Sequence, residues 1–125
     1  MSFGFSNPFR QNSGPVQKLS ASDAVTRAAK GEITVVDVRD HNELSMSGKA
    51  KGAVHIPLFQ LQQQGDPNHP EFHPDLDASK PVAIYCASGA RSQMAAQTMA
   101  RFGFTEVYNI GGLMHWQAAG GACER

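Results

Sequence analysis

Apolar and polar positions along this chain follow two rhythms. Ile33-Thr34-Val35-Val36-Asp37-Val38 and Pro81-Val82-Ala83-Ile84-Tyr85 are short, partly β-branched apolar runs, as expected of strands buried on both faces. Ala53-Val54-His55-Ile56-Pro57-Leu58 reads as a further strand that Pro57 ends, and residues 106–110 as another. The helical rhythm lies between these runs. Ser20-Ala21-Ser22-Asp23 has the capping-box pattern, Ala24, Val25, Ala28 and Ala29 then share one helical face, and Gly31 supplies the stop. Ala95, Met99 and Phe102 predict a helix over 92–102, and shorter helices are expected over 41–47 and 113–118. Residues 62–79 are polar and carry Pro67, Pro70 and Pro74, so a long loop is expected there. Strands alternating with helices define an α/β domain with a mainly parallel sheet, in which ligands gather at the carboxyl ends of the strands.

Composition narrows the function classes. At 125 residues the chain is large enough for one domain with a real core. Residues 1–15 are rich in Ser, Gly, Asn and Pro and read as a flexible arm ahead of a domain over 16–125. Phe3, Phe5 and Phe9 offer that arm docking points, although a mobile end is the simpler reading. Eleven basic residues balance 11 acidic ones, so no excess of positive charge points to nucleic acid or an anionic membrane surface. No apolar run reaches membrane-spanning length, and the start of the chain lacks the basic-then-apolar order of a signal peptide. Two cysteines form neither a disulfide framework nor a metal-type pair, which suggests a reducing, cytoplasmic setting. No metal or cofactor is expected. His69 and His73 stand beside Asp66, Glu71 and Asp75, but the interleaved prolines argue against the helix that a metal site at this spacing needs.

The chemistry concentrates at Cys86. The 81–85 run ends there, and Cys86-Ala87-Ser88-Gly89-Ala90-Arg91 is a tight turn of small residues leading to a cation and then a helix. A thiol between a strand end and a helix start sits among unpaired backbone N–H groups, and such surroundings favour the nucleophilic thiolate. A purely structural cysteine would more naturally lie inside a strand. Ser88 and Ser92 can donate further hydrogen bonds, and capping the helix is the expected role of Ser92. Cys123 lies in a Gly-rich segment read as a loose tail and is expected to be a bystander. Trp116 is expected to anchor the last helix in the core.

The ordered set Asp37-Val38-Arg39 with Glu43, Gly52-Ala53 before Ile56-Pro57-Leu58, Tyr85-Cys86 with Gly89, Arg91 and Ser92, and Gly103-Phe104, Val107, Asn109, Gly111-Gly112 and Trp116 resembles a single-domain rhodanese over residues 16–121. The resemblance implies a rhodanese-like α/β fold: a five-stranded, mainly parallel sheet flanked by helices on both faces. It implies a sulfurtransferase that moves a sulfane sulfur from a donor such as thiosulfate to cyanide or a thiol. Cys86 would carry the sulfur as a persulfide, with Ala87, Ser88, Gly89, Ala90, Arg91 and Ser92 forming the cradle and Asp37 and Arg39 bracing it. Arg39 with Glu43 could equally form a structural ion pair. Two departures stand out. Gly48-Lys49-Ala50-Lys51-Gly52-Ala53 replaces the family's frequent Gly-His-Ile-Pro-Gly-Ala, and Ala87 occupies a position that is often arginine.

Two other function classes compete. Phosphatases and arsenate reductases of related fold place five residues between cysteine and arginine, whereas Cys86 and Arg91 enclose four. A non-enzymatic module would not need the cysteine, although a sulfur carrier acting only with a protein partner would retain it.

Overall fold

The computed structural model describes residues 16–125, so the arm expected at 1–15 lies outside the described residues. Five strands form one parallel sheet: β1 (Val16–Lys18), β2 (Thr34–Asp37), β4 (Val54–His55), β5 (Val82–Cys86) and β6 (Val107–Gly112), in the order β1-β6-β5-β2-β4. The helices are α1 (Ala21–Ala29), α2 (His41–Ser47), α3 (Leu61–Gln64), α4 (Ala90–Arg101) and α5 (Leu113–Ala118). β1 is too short and polar to announce itself in the sequence. It exists because β6 offers it an edge, pairing Val16 with Val107 and Lys18 with Asn109.

Period-two alternation divides the core into two layers. Val36, Ile84 and Cys86 face Ala95, Ala96 and Met99 of α4 and Leu61 of α3. Val35, Ala83 and Tyr85 face Ala24 of α1 and Leu113 and Trp116 of α5. Helices therefore cover both sides, and β5, in the middle of the sheet, is buried along its whole length. The strand expected over 53–58 is shorter than its apolar run, although the Ile56 and Leu58 N–H groups on either side of Pro57 still donate to the Asp37 and Val38 carbonyls. The expected loop over 62–79 begins with the end of α3 and then proceeds through turns.

The carboxy-terminal segment is not a loose tail. β7 (Cys123–Glu124) pairs antiparallel with β3 (Lys49–Ala50), and Lys49 Nζ reaches Glu124 Oε2 at 2.6 Å. The departure at residues 48–53 thus has a structural use: its lysine fastens the chain end. Trp116 is buried as expected, and its indole N–H donates to the Ala122 carbonyl at 2.8 Å.

Candidate active site

Cys86 closes the central strand with its side chain buried. The Gly89 N–H donates to Cys86 Sγ at 2.9 Å, and Ser92 Oγ lies 3.4 Å from the sulfur. Burial pushes the thiol up. The Ser92 hydroxyl and the backbone N–H groups of Ser92, Gly89 and Ser88 pull it down, and the net direction is below the ordinary cysteine value. The groups that reach the sulfur are thus the N–H groups of Ser88, Gly89 and Ser92 and the Ser92 hydroxyl.

Two details differ from the expectation. The helix begins at Ala90, two residues early, with Gly89 at its cap in a left-handed conformation, φ 108°. Ser92 is consequently inside the first turn and does not cap it. Its hydroxyl is free for the sulfur on one side and for Asn109 on the other, where it donates to Oδ1 at 2.8 Å.

β6 supplies the wall behind the loop. Its register against β5 shifts between Ile84–Asn109 and Tyr85–Gly111, leaving an extra residue in β6. That irregularity brings Gly111 and Gly112 against the loop, just after Asn109. A Cβ on Gly112 would collide with the Ala87 carbonyl oxygen, which is backbone and cannot swing away. Gly112 therefore sets how closely β6 and the loop can approach. Asn109 Nδ2 donates to the Gly89 carbonyl at 3.2 Å. Beside the loop, an open cleft of about 860 Å³ is lined by Ser88, Gly89, Asn109, Gly111, Lys18 and His115 among others. Among the described residues no carboxylate lines it.

Arg91 is not a lone cation. Its two terminal nitrogens meet Glu43 Oε1 and Oε2 at 2.7 and 2.8 Å, a bidentate pair. The hydrogen bond from Arg91 holds the Glu43 carboxyl well down, from its ordinary 4.5 to about 2. Arg91 is raised in turn, first through its hydrogen bond to Glu43. The alternative pairing of Arg39 with Glu43 does not occur. Glu43 also completes a capping box with Asp40, which fixes α2 at the rim of the site.

Arg39 instead meets Asp37, with Nη2 at 2.8 Å from Oδ2, both side chains buried. The Tyr85 hydroxyl donates to the same Asp37 oxygen and accepts the Ala50 N–H at 2.9 Å. Arg39 also donates to Ser47 Oγ at 2.8 Å and to the Gly48 carbonyl. Asp37 and Arg39 are thus joined to β5 one residue before Cys86 and touch none of the sulfur's neighbours. The remaining histidines have local partners. His55 Nε2 lies 2.6 Å from the Arg39 carbonyl, and His115 Nδ1 accepts the Gly112 N–H at 2.9 Å. His69 and His73 accept backbone N–H groups within their own turns. Among the described residues no group of three or more His, Cys, Asp or Glu is placed to hold a metal, and no helix is long and apolar enough to cross a membrane.

A buried cysteine cradled by amides at the carboxyl edge of a five-stranded parallel sheet defines a class, and the comparisons agree with it. The rhodanese-like domain model matches residues 20–119, and the chain belongs to that family. Thiosulfate sulfurtransferase GlpE of Coxiella burnetii is 34% identical over 103 residues, covering 82% of this chain and 88% of that protein. The uncharacterized protein YqhL of Bacillus subtilis is 38% identical over 91 residues, covering 72% of this chain, which spans 65% of that relative's length. A solved structure of a protein of unknown function from Rhodopseudomonas palustris, described as a possible tyrosine phosphatase, superposes with TM-score 0.78 at 29% identity and 99% coverage of both chains.

Proposed function

We propose that this chain is a sulfurtransferase whose covalent sulfur carrier is Cys86. The observation that carries the reading is the 2.9 Å approach of the Gly89 N–H to a buried Sγ held below its ordinary pKa. The Cys86 thiolate attacks the outer sulfur of thiosulfate, the S–S bond breaks, and sulfite leaves with the electron pair. The persulfide then carries its negative charge on the outer sulfur, where the amides of the loop and the start of α4 oppose it. Cyanide or an acceptor thiolate attacks that sulfur and restores the Cys86 thiolate. The cycle is two-step covalent catalysis. Ala87, Ser88, Gly89, Ala90, Arg91 and Ser92 form the cradle, with Asp37 and Arg39 behind it. A small-molecule thiol and a protein acceptor both suit the open cleft beside the loop.

The phosphatase description of the Rhodopseudomonas neighbour makes the oxyanion reading worth weighing. Both terminal nitrogens of Arg91 are held by Glu43, so the forked contact that a tetrahedral dianion needs is already occupied. Four residues between Cys86 and Arg91 also draw the donors close around one atom. Both features favour a single sulfur.

Intact mass after incubation with thiosulfate tests the proposal. One added sulfur is expected, removed by cyanide as thiocyanate and absent from Cys86→Ser. Hydrolysis of aryl phosphates through Cys86 without any sulfur adduct would establish the oxyanion reading instead.

A further inference from the structure

The Ser92 hydroxyl has one proton, and besides the more distant Gly111 carbonyl at 3.5 Å two neighbours compete for it. Asn109 Oδ1 lies 2.8 Å away and can only accept, while Cys86 Sγ lies 3.4 Å away on the other side. The orientation of the Asn109 amide is fixed by three further partners. Oδ1 accepts the Gly111 N–H at 3.0 Å, and Nδ2 donates to the Gly89 carbonyl at 3.2 Å and to Gln93 Oε1 at 3.0 Å. Turning the amide over would set its NH2 against the Gly111 N–H and its oxygen against the Gly89 carbonyl. The Ser92 proton is therefore directed at Asn109, and Ser92 presents a lone pair to the sulfur. A lone pair suits a thiol S–H and opposes a thiolate or a persulfide anion. When the sulfur becomes anionic, the hydroxyl must turn and donate to it, releasing Asn109.

We propose that Asn109 is a positioning residue that holds the Ser92 proton away from Cys86 in the resting thiol and yields it when the sulfur turns anionic. This rests on the reading of Cys86 as the nucleophile, but the experiment reads the thiol itself and does not depend on which group is transferred. Asn109 is held in place by its regular register with Ile84, and the bulge that follows it turns Gly111 back so that its N–H reaches Asn109 Oδ1. The charged groups bearing on the sulfur are Arg91, which attracts it, and Glu43, which neutralises Arg91; His115 faces the nearby Gly112 N–H. None of these is altered in the test.

The test is a double-mutant cycle between Asn109 and Ser92 in a Cys123→Ser background, which leaves one thiol. The ultraviolet absorbance of the thiolate is followed against pH for Asn109→Leu, Ser92→Ala and the double variant. Removing the competing acceptor frees the Ser92 hydroxyl to donate, so Asn109→Leu should lower the Cys86 pKa by about one unit, the scale of one charge-assisted hydrogen bond. Ser92→Ala should raise it, and Asn109→Leu should then cause no further shift. A rise in Asn109→Leu, or an equal shift with and without the serine hydroxyl, would overturn the proposal. Should Asn109→Leu fail to fold, Asn109→Asp serves in its place. Its carboxylate grips the proton harder, so the thiol pKa should rise, and the rise should fall by more than half in Ser92→Ala. An undiminished rise would mean a direct charge effect and would equally refute the relay. Thiosulfate loading of the same variants, read by mass, separates failure of this inference from failure of the sulfurtransferase reading.

Discussion

Two arginine–carboxylate pairs flank Cys86, and they are built for different ends. Asp37–Arg39 is sealed in the interior, with side chains 0% and 4% exposed, and its spare donors and acceptors are used by Tyr85, Ser47 and Gly48. Glu43–Arg91 is also bidentate but half-open to water, at 28% and 37% exposure. The first joins β2, β5 and the chain after α2 into a frame. The second spans from α2 to the loop that holds the sulfur. Burial thus decides the role: a sealed pair cannot respond to solution conditions without unfolding the protein, whereas an open pair can be weakened and leave the fold intact.

The sharpest way to break the comparison is Asp37→Ala. It strands the Arg39 guanidinium in the interior, and losing one member of a buried pair costs about 3–5 kcal/mol. Chemical denaturation should show a loss of that size, a large part of a small domain's stability. Arg39→Lys tests whether geometry matters as much as charge. Lysine cannot reproduce the forked contacts to Asp37 Oδ1 and Oδ2, so a loss of about 1.5–3 kcal/mol is expected. Wild-type stability after this change would reduce the frame to a simple point charge.

Glu43→Gln should cost far less, about 1 kcal/mol, since water screens the pair and glutamine keeps the capping box. Its effect on catalysis should be favourable for an anionic donor. Arg91 freed from its carboxylate should lower KM for thiosulfate several-fold while leaving a neutral sulfur donor unaffected. A higher KM for thiosulfate would show that Arg91 must be held by Glu43 to serve the loop. The same pair has a pH signature. The folded Glu43 carboxyl is depressed from 4.5 to about 2, so its contribution is complete above the unfolded value and fades as pH falls toward about 2. Denaturation midpoints measured across that acid range should converge for wild type and Glu43→Gln at the low end. The smallest effect is expected at Cys123→Ser. Cys123 is exposed in β7, so sulfur transfer should stay within error; a large loss together with a disulfide to Cys86 would make it a resolving thiol.

The strands with apolar runs and the helices with a clear face were legible because their burial is written in the spacing of their own residues. β1 and β7 were not. Val16-Gln17-Lys18 and Cys123-Glu124 carry no pattern of their own and are strands only because β6 and β3 lie beside them. The site divides in the same way. Cys86 and its loop are contiguous, so their chemistry can be read along the chain. Glu43 as partner of Arg91, and Asn109 as partner of Ser92, depend on contacts across the fold that local spacing cannot reveal. The Gly111-Gly112 pair was the available signal: two adjacent glycines at the end of a strand mark a place where another backbone comes close.

The parallel order of the sheet has a consequence for synthesis. The sulfur cradle lies near residue 90, but Asn109, Gly111 and Gly112 emerge from the ribosome later, and β1, the first strand among the described residues, has no neighbour until β6 arrives. The nascent chain therefore carries Cys86 without its back wall for the time needed to make residues 87–112. Contacts between distant parts of a chain also form slowly after release. During that interval Cys86 lacks the burial and the Ser92–Asn109 contact that surround it in the finished fold.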